Sequence, residues 1–369
     1  MRALNQESDY RCLWSSRSEI IELIFMSWKH SLFLVVPIVS FAIALRPIPA
    51  QPAPQYPTID PLTHKSYTET IERDGVKASF EMIAIPGGTF LMGSPATEKG
   101  RKEHEGPLHP VSIKPLWVGK CEVTWGEYDL FWEKKANEKP PVTVADKKAD
   151  AITRPSKANH HDIDWGYGRG KNQPVIAIHH HAAMEYCRWL SEKTGKLYRL
   201  PTEAEWEWAC RAGTTSAYSF GDDVRKLGEF AWIESNANDM PHPVGMKKPN
   251  VWGLYDMHGN VAEWCIDQFD AKFYGTLSPD KPTLLPVKLP GERRFHHVAR
   301  GGSWIDPPER CRSGERQSSV PDWQKKDPQI PQSIWWNNAD WVGFRVVRAV
   351  GEYEVLKGLK SKITKQSPN

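Results

Sequence analysis

The sequence predicts an α+β domain with few helices, many short strands and a high content of irregular loop. Three observations predict it. Two segments carry clear helix start and stop signals. Short apolar stretches are separated by runs rich in Gly, Pro, Asn and Asp, which set turns and loops. Tryptophan is over-used, with 17 residues in a chain of 369, and such large rings suit gaps between loops that no regular element fills. A surface for stacking a glycan or other ligand is the rival use of the same rings.

The bulk numbers narrow the class. Hydrophobic residues make up 40% and charged residues 25%, the balance of a folded chain. A length of 369 residues holds one large domain or two ordinary ones. The formal net charge of +3 is too small to draw nucleic acid, and no basic run is interleaved with aromatics.

In chain order, residues 1–50 read as a signal-peptide region. Ser31–Leu45 carries no charge; as a helix it spans about 22 Å, short of the roughly 30 Å of a bilayer core. The charges of residues 1–30 cancel, whereas Met26 opens a short positive lead, so Met26 is the expected start of translation. Cleavage is expected after Ala50, and export follows to the periplasm or the extracellular space. An uncleaved membrane anchor is the alternative. Residues 51–75 are proline-rich near their start (Pro52, Pro54, Pro57, Pro61) and read as a linker.

The domain proper is expected over residues 76–352. Ser79–Ala84 reads as a strand, Pro86-Gly87-Gly88 as a turn and Thr89–Gly93 as the second strand of a hairpin. Leu116–Val123 is a further strand, and Glu127–Lys135 has helical spacing. The first well-signalled helix runs from about His181 to Thr194, with Ala183, Tyr186, Cys187 and Leu190 on one face and Gly195 as its stop. The second begins at Thr202, where Thr202 and Glu205 form a capping box. Val298–Arg300 and Gly343–Val350 complete the strands. Residues 353–369 are basic and read as a solvated tail.

Five stretches fall in a specific order: Ile85–Ser94 (IPGGTFLMGS), Leu200–Ala209 (LPTEAEWEWA), Asn250–Trp264 (NVWGLYDMHGNVAEW), Arg300–Trp304 (RGGSW) and Gly343–Val346 (GFRV). In this the chain resembles the formylglycine-generating enzyme, or sulfatase-modifying factor, family. The resemblance implies an elaborated C-type-lectin-like fold. That fold also serves as a binding module, so it does not settle function.

Asp256 and Glu263 are two carboxylates flanking Gly259, and carboxylate plus carbonyl oxygens are what Ca²⁺ takes. Carried over from the family, the resemblance implies calcium held by the side chains of Asp256 and Glu263 and the carbonyls of Gly259 and Val261. The bland reading is that the two acids cap turns and pair with Arg. A second calcium site of the family has no clear match near Phe230–Asn238.

The family's enzyme oxidises a substrate cysteine with O₂ on Cu(I) held by two thiolates. Those cysteines lie two and seven residues after the Trp of RGGSW, which here are Asp306 and Cys311. A carboxylate is a poor ligand for soft Cu(I), and Pro307 and Pro308 stiffen the same loop. Copper is therefore not expected, and no catalytic residue is assigned. Cys187 and Cys210 match two bridged cysteines of the enzyme, but their partner positions are Val346 and Arg316, so those bridges are absent. The motif loops lie near each other in the family, which implies a Cys265–Cys311 disulfide. A related branch binds iron through histidines; His179–His181 and His296–His297 read instead as a polar helix start and a strand flank.

The expected function is an exported module that binds a protein or glycan ligand, stabilised by calcium and without formylglycine-generating activity. Trp323, Trp335, Trp336 and Trp341 are the candidates for a stacking surface, with core filling as the other reading. A copper- and O₂-dependent oxidase converting a sulfatase cysteine to formylglycine is the alternative. A different reaction on the same fold is a third possibility.

Overall fold

Strand signals and turn glycines build three small sheets, and the loops between them carry the rest of the chain. The computed structural model describes residues 64–132, 169–324, 334–364 and 366–369. The signal region, the expected cleavage site and most of the linker lie outside the described residues. Strand β1 (Tyr67–Arg73) pairs antiparallel with β2 (Val76–Ile85) through a turn at Asp74-Gly75. Both turn residues have positive φ, 56° and 82°, the geometry that Asp-Gly favours in a two-residue hairpin. The linker expected over 51–75 is corrected here, because its last part is a strand of the domain.

Strand β3 (Gly88–Met92) pairs with β4 (His109–Ile113), not with β2. Strand β2 pairs instead with β1 and with β5 (Leu116–Gly119). The expected β2–β3 hairpin is therefore absent, and packing gives the reason. A Cβ on Gly87 would meet Pro115 at 2.8 Å, and one on Gly88 would meet the Trp208 ring at 2.7 Å. These glycines admit close neighbours while the chain crosses from one sheet to another.

Helix α1 (Trp125–Trp132) starts where Thr124 N–H and Oγ1 both donate to Glu127 Oε1. Helix α2 (His180–Thr194) buries Ala183, Tyr186, Cys187 and Leu190 and stops at Gly195, whose φ is 66°. Helix α3 (Glu203–Arg211) carries the capping box: Glu205 N–H donates to Thr202 Oγ1 at 3.2 Å, and Thr202 N–H donates to Glu205 Oε2 at 2.9 Å. Every residue of α3 is buried. A short helix α4 (Leu227–Phe230) follows.

The later strands are β6 (Ala262–Gln268), β7 (Thr283–Leu284), β8 (His297–Arg300), β9 (Gln317–Ser318), β10 (Val342–Gly343) and β11 (Val347–Ala349). The sheets have the orders β1-β2-β5-β11, β10-β6-β8-β9 and β3-β4-β7. The single strand expected over Gly343–Val350 is thus two, in different sheets, with Arg345 between them.

The tail is not solvated throughout. Leu356 and Ile363 are buried in the main core, Ser361 Oγ lies 2.8 Å from His181 Nδ1, and Arg294 N–H donates to Pro368 O. Trp323, Trp335 and Trp336 are buried in the same core, with Trp323 packed 5.3 Å from Trp264. Core filling is their role, so they form no open stacking surface.

The histidines at the start of α2 belong to this core too. The His180 and His297 rings stack with centroids 3.8 Å apart and 8° between planes. His180 Nε2 donates to Cys265 O and His297 Nε2 donates to Arg293 O. Their Nδ1 atoms, and both ring nitrogens of His179, have no partner. Burial, then the neighbouring His297, pushes His179 and His180 well below the ordinary range, and burial takes His297 to about 4. The expected polar helix start is a neutral, stacked cluster.

Two outcomes follow. Ile363→Ala should lower unfolding free energy by about 2–4 kcal/mol in urea titrations, whereas a free tail would give a change below about 0.5 kcal/mol. The unfolded chain protonates His297 near the ordinary 6.5, and the folded chain only near 4, so the unfolded state binds more protons between those values and stability falls as pH falls. Between pH 7 and pH 5 the loss from His297 alone should be about 2 kcal/mol. Urea midpoints of His297→Gln should drop less than those of the parent chain by one such increment.

Candidate functional site

The loop after Trp304 carries the position where a second copper thiolate would be required. Asp306 is buried, and Ser303 Oγ donates to its Oδ2 at 2.6 Å. Its Oδ1 lies 3.6 Å from Arg310 Nε, and its carbonyl accepts from Glu234 N–H. Pro307 and Pro308 then open a single 3₁₀ turn that ends at Cys311. Proline at a helix start costs no hydrogen bond, since that N–H has no helical acceptor. Cys311 is fully buried in a second hydrophobic cluster with Ala217, Tyr218, Leu227, Ala231 and Ile233. Burial, and next the Asp306 charge, holds its thiol well above the ordinary range. A hydrogen-bonded carboxylate and a sealed, protonated thiol do not fit Cu(I), which wants paired soft thiolates.

The expected Cys265–Cys311 disulfide is not formed; both are free. Cys265 lies on β6 in the main core and Cys311 in the second cluster. The backbones of the two motif loops do approach, but through His258, whose Nδ1 donates to Cys311 O at 2.9 Å. Cys187 and Cys210 are likewise buried free thiols.

The loop Asp256–Glu263 curls as a glycine-bearing loop must. Asp256, Gly259 and Asn260 all have positive φ, 57°, 134° and 59°. A Cβ on Gly259 would fall 2.3 Å from Trp232 O, so only glycine passes there. The two loop carboxylates have different fates. Glu263 is fully buried, and Arg345 grips it in a fork: Nε to Oε2 and Nη2 to Oε1, both 2.6 Å. Trp206 Nε1 also donates to Glu263 Oε2 at 2.8 Å. Asp256 accepts from Gly245 N–H through Oδ2 at 2.7 Å, and its Oδ1 has no donor.

A residue that sequence reasoning missed completes this group. Glu122, just beyond β5, buries its carboxyl against the same loop. Asn260 Nδ2 donates to Glu122 Oε1 at 3.1 Å, and Oε2 has no donor. Burial first, then the charges of Asp256 and Glu263, raises the Glu122 carboxyl well above the ordinary range. Burial raises Asp256 as well. Among the described residues no three His, Cys, Asp or Glu side chains converge as a metal cluster. Buried carboxylate oxygens without a donor, on Asp256 and Glu122, are hard donors of the kind Ca²⁺ takes. The loop therefore fits calcium at Asp256, while Glu263 is committed to Arg345. No sequence signal could have found Glu122, because nothing nearby marks it.

A cleft of about 520 Å³ opens beside this group, lined among others by Lys120, Cys121, Glu122, Glu127, Asn172 and Tyr255. Cys121 is half-buried, and burial, then the Asp256 charge, keeps its thiol above the ordinary range.

Comparison with known proteins accords with this architecture. The sulfatase-modifying factor enzyme 1-like domain matches residues 67–350. The formylglycine-generating enzyme of Streptomyces coelicolor is 29% identical over 277 residues, covering 65% of this chain and 84% of that protein. A Bos taurus protein named inactive C-alpha-formylglycine-generating enzyme 2 is also 29% identical, over 279 residues, covering 65% and 83%. Among solved structures, PvdO from Pseudomonas aeruginosa matches with TM-score 0.55 at 31% identity, over 73% of this chain and 94% of that one. With its β1 start at Tyr67, its elaborated C-type-lectin-like layout and all five motifs in place, the chain belongs to the sulfatase-modifying factor family.

Proposed function

We propose that this chain is an exported, non-catalytic member of the family: a module that binds a protein or glycan ligand and is stabilised by calcium. The observation that carries the reading is the state of the two copper positions. Asp306 is spent on Ser303 and Arg310, and Cys311 is sealed away from solvent. A thiol held protonated in an apolar cluster is a poor metal ligand and a poor nucleophile. The Bos taurus relative named inactive is similar over the same span, which supports loss of activity within this fold. Calcium would be held by Asp256 with the carbonyls of Gly259 and Val261. It would supply a fixed positive charge that ties the loop together and no chemistry. Export rests on the apolar run Ser31–Leu45 behind Met26.

The retained Cys311 and the relatives named formylglycine-generating enzyme favour the second reading, a copper- and O₂-dependent oxidase. One experiment separates them. Purified protein is incubated with Cu(I), O₂ and a peptide bearing Cys-x-Pro-x-Arg, and the products are read by mass spectrometry. No aldehyde is expected. Aldehyde formation that disappears in Cys311→Ser would establish the oxidase and end the binding-module reading.

A further inference from the structure

We propose that the C-terminal tail beyond Leu356 is a strap that mild acid releases from the domain, with the buried imidazoles of His179, His180 and His297 as the trigger. The release needs no ligand and no metal.

The first support is where the tail is fastened. Ser361 Oγ meets His181 Nδ1 at 2.8 Å, at the start of α2, and Pro368 O accepts from Arg294 N–H at 3.0 Å. The tail thus bridges the start of α2 and the segment 293–297. The same two segments bring the imidazoles together. His180 stacks on His297, and the His179 ring lies 5.5 Å from that of Phe295. The strap is therefore anchored on both sides of the junction that holds the cluster. Its own hold is light. The 3₁₀ turn Glu354–Leu356 is its last regular element, and beyond that turn Ile363 is buried while Leu359 is half-buried. Lys360 and Lys362, on either side of Ser361, are exposed. Segments with few buried apolar contacts open locally, below the cost of global unfolding.

The second support is that the cluster cannot take up charge where it stands. His179 is 1% exposed, and His180 and His297 are 0% exposed. Both ring nitrogens of His179, and Nδ1 of His180 and of His297, have no partner. The charged groups facing His179 are His297, His181 and Arg294; those facing His180 are His297, His179 and His181; His296 faces His297. All are positive or become so on protonation. From β6 the cluster meets the Cys265 carbonyl, and burial keeps the Cys265 thiol protonated. From the segment before Asn337 it meets the Trp335 carbonyl, which takes the His179 backbone N–H. His181 does have an acid beside it, Glu185, but that acid is paired with Arg188. A proton on His179, His180 or His297 thus puts an uncompensated charge in the core, and opening to water is what relieves it.

The third support is the fastening itself. Ser361 Oγ already accepts from Ile363 N–H at 3.3 Å, so its hydroxyl is left to donate to His181 Nδ1. A proton on that nitrogen displaces it. The direction with pH follows. Burial holds His297 near 4 and His179 and His180 well below the ordinary range, whereas imidazoles open to water titrate near 6.5. The released state binds more protons between those values, so release is favoured as pH falls below about 6.5.

The test is hydrogen exchange of the full chain, read by mass spectrometry as protection factors at about pH 7.5 and about pH 5. The tail should be less protected than α3 and β6 at both values, as a segment that opens separately. Its protection should fall by about thirtyfold at the lower pH for one histidine moving from near 4 to near 6.5, and further as His179 and His180 join it. Two variants check the trigger. His297→Gln removes one stacked imidazole. His179→Leu removes an imidazole with no side-chain hydrogen bond to lose, so it should fold even where His297→Gln does not. In each variant the fall should shrink severalfold. Tail protection that is unchanged with pH would overturn the proposal. So would a tail that shares one protection factor with α3 and β6, because release would then be global unfolding. A fall that persists in full in His179→Leu and His297→Gln would overturn the assignment of the trigger.

Discussion

The buried pair of Arg345 and Glu263 is the interaction on which the rest of the site depends. Arg345 stands in the gap between β10 and β11, strands that belong to different sheets. Glu263 stands in β6, opposite Arg300 on one side and Gly343 on the other. A bidentate fork at this point, with further bonds to the carbonyls of Gly119 and Tyr255, ties two sheets and the Asp256–Glu263 loop to one group. Removing both charges from water is costly, and only full hydrogen bonding makes such a pair tolerable. Here Nε, Nη1 and Nη2 of the guanidinium each find an oxygen, and the Trp206 indole completes the carboxylate. The pair thereby decides how the neighbouring acids behave. With Glu263 holding the Arg345 fork, burial raises the neighbouring Glu122 and Asp256 carboxyls.

The same device recurs around α3. Its three glutamates are buried, and each has an arginine: Glu203 with Arg316, Glu205 with Arg199, Glu207 with Arg211 and Arg300. Several of these guanidiniums spend their other N–H groups on loop carbonyls. Arg300 donates to Ser313 and Gly314, Arg211 to Gly93, and Arg316 to His104. A domain with long irregular loops has many backbone carbonyls that no ladder satisfies. A planar donor fork that is always charged is well suited to collect them. The arginines therefore do in this fold what strand pairing does in a larger sheet.

This division explains what could be read from the sequence. The capping box at Thr202, the glycine stop at Gly195 and the five ordered motifs are local signals, and each led to the right element or family. Pairing between distant segments was not readable in the same way. The Gly87-Gly88 step looks like a hairpin turn, and only the nearness of Pro115 and the Trp208 ring shows it to be a close crossing. Asp74-Gly75 is a good hairpin signal, but its first strand lies directly behind a proline-rich stretch that reads as a linker. In the basic tail, Leu356 and Ile363 are two isolated apolar residues whose burial depends on the core that receives them. Glu122 is the extreme case: a lone acid after a short strand, made significant by a loop far along the chain.

Asp306 shows how a family position changes its use. In a copper site this residue would have to be free to bind metal. Here its carboxylate accepts from Ser303 Oγ, its carbonyl accepts from Glu234 N–H, and its N–H donates back to Ser303 O. Three bonds make it the corner of its own loop, and the following Pro307-Pro308 step leads into the turn that buries Cys311. A Cβ on Gly302 would come within 2.6 Å of the Cys311 sulfur, so the thiol is packed against the RGGSW backbone itself. The motif has kept its glycines because the packing requires them, whether or not a metal does. Retention of the motif is thus evidence of fold, and the chemistry has to be judged from what occupies positions 306 and 311.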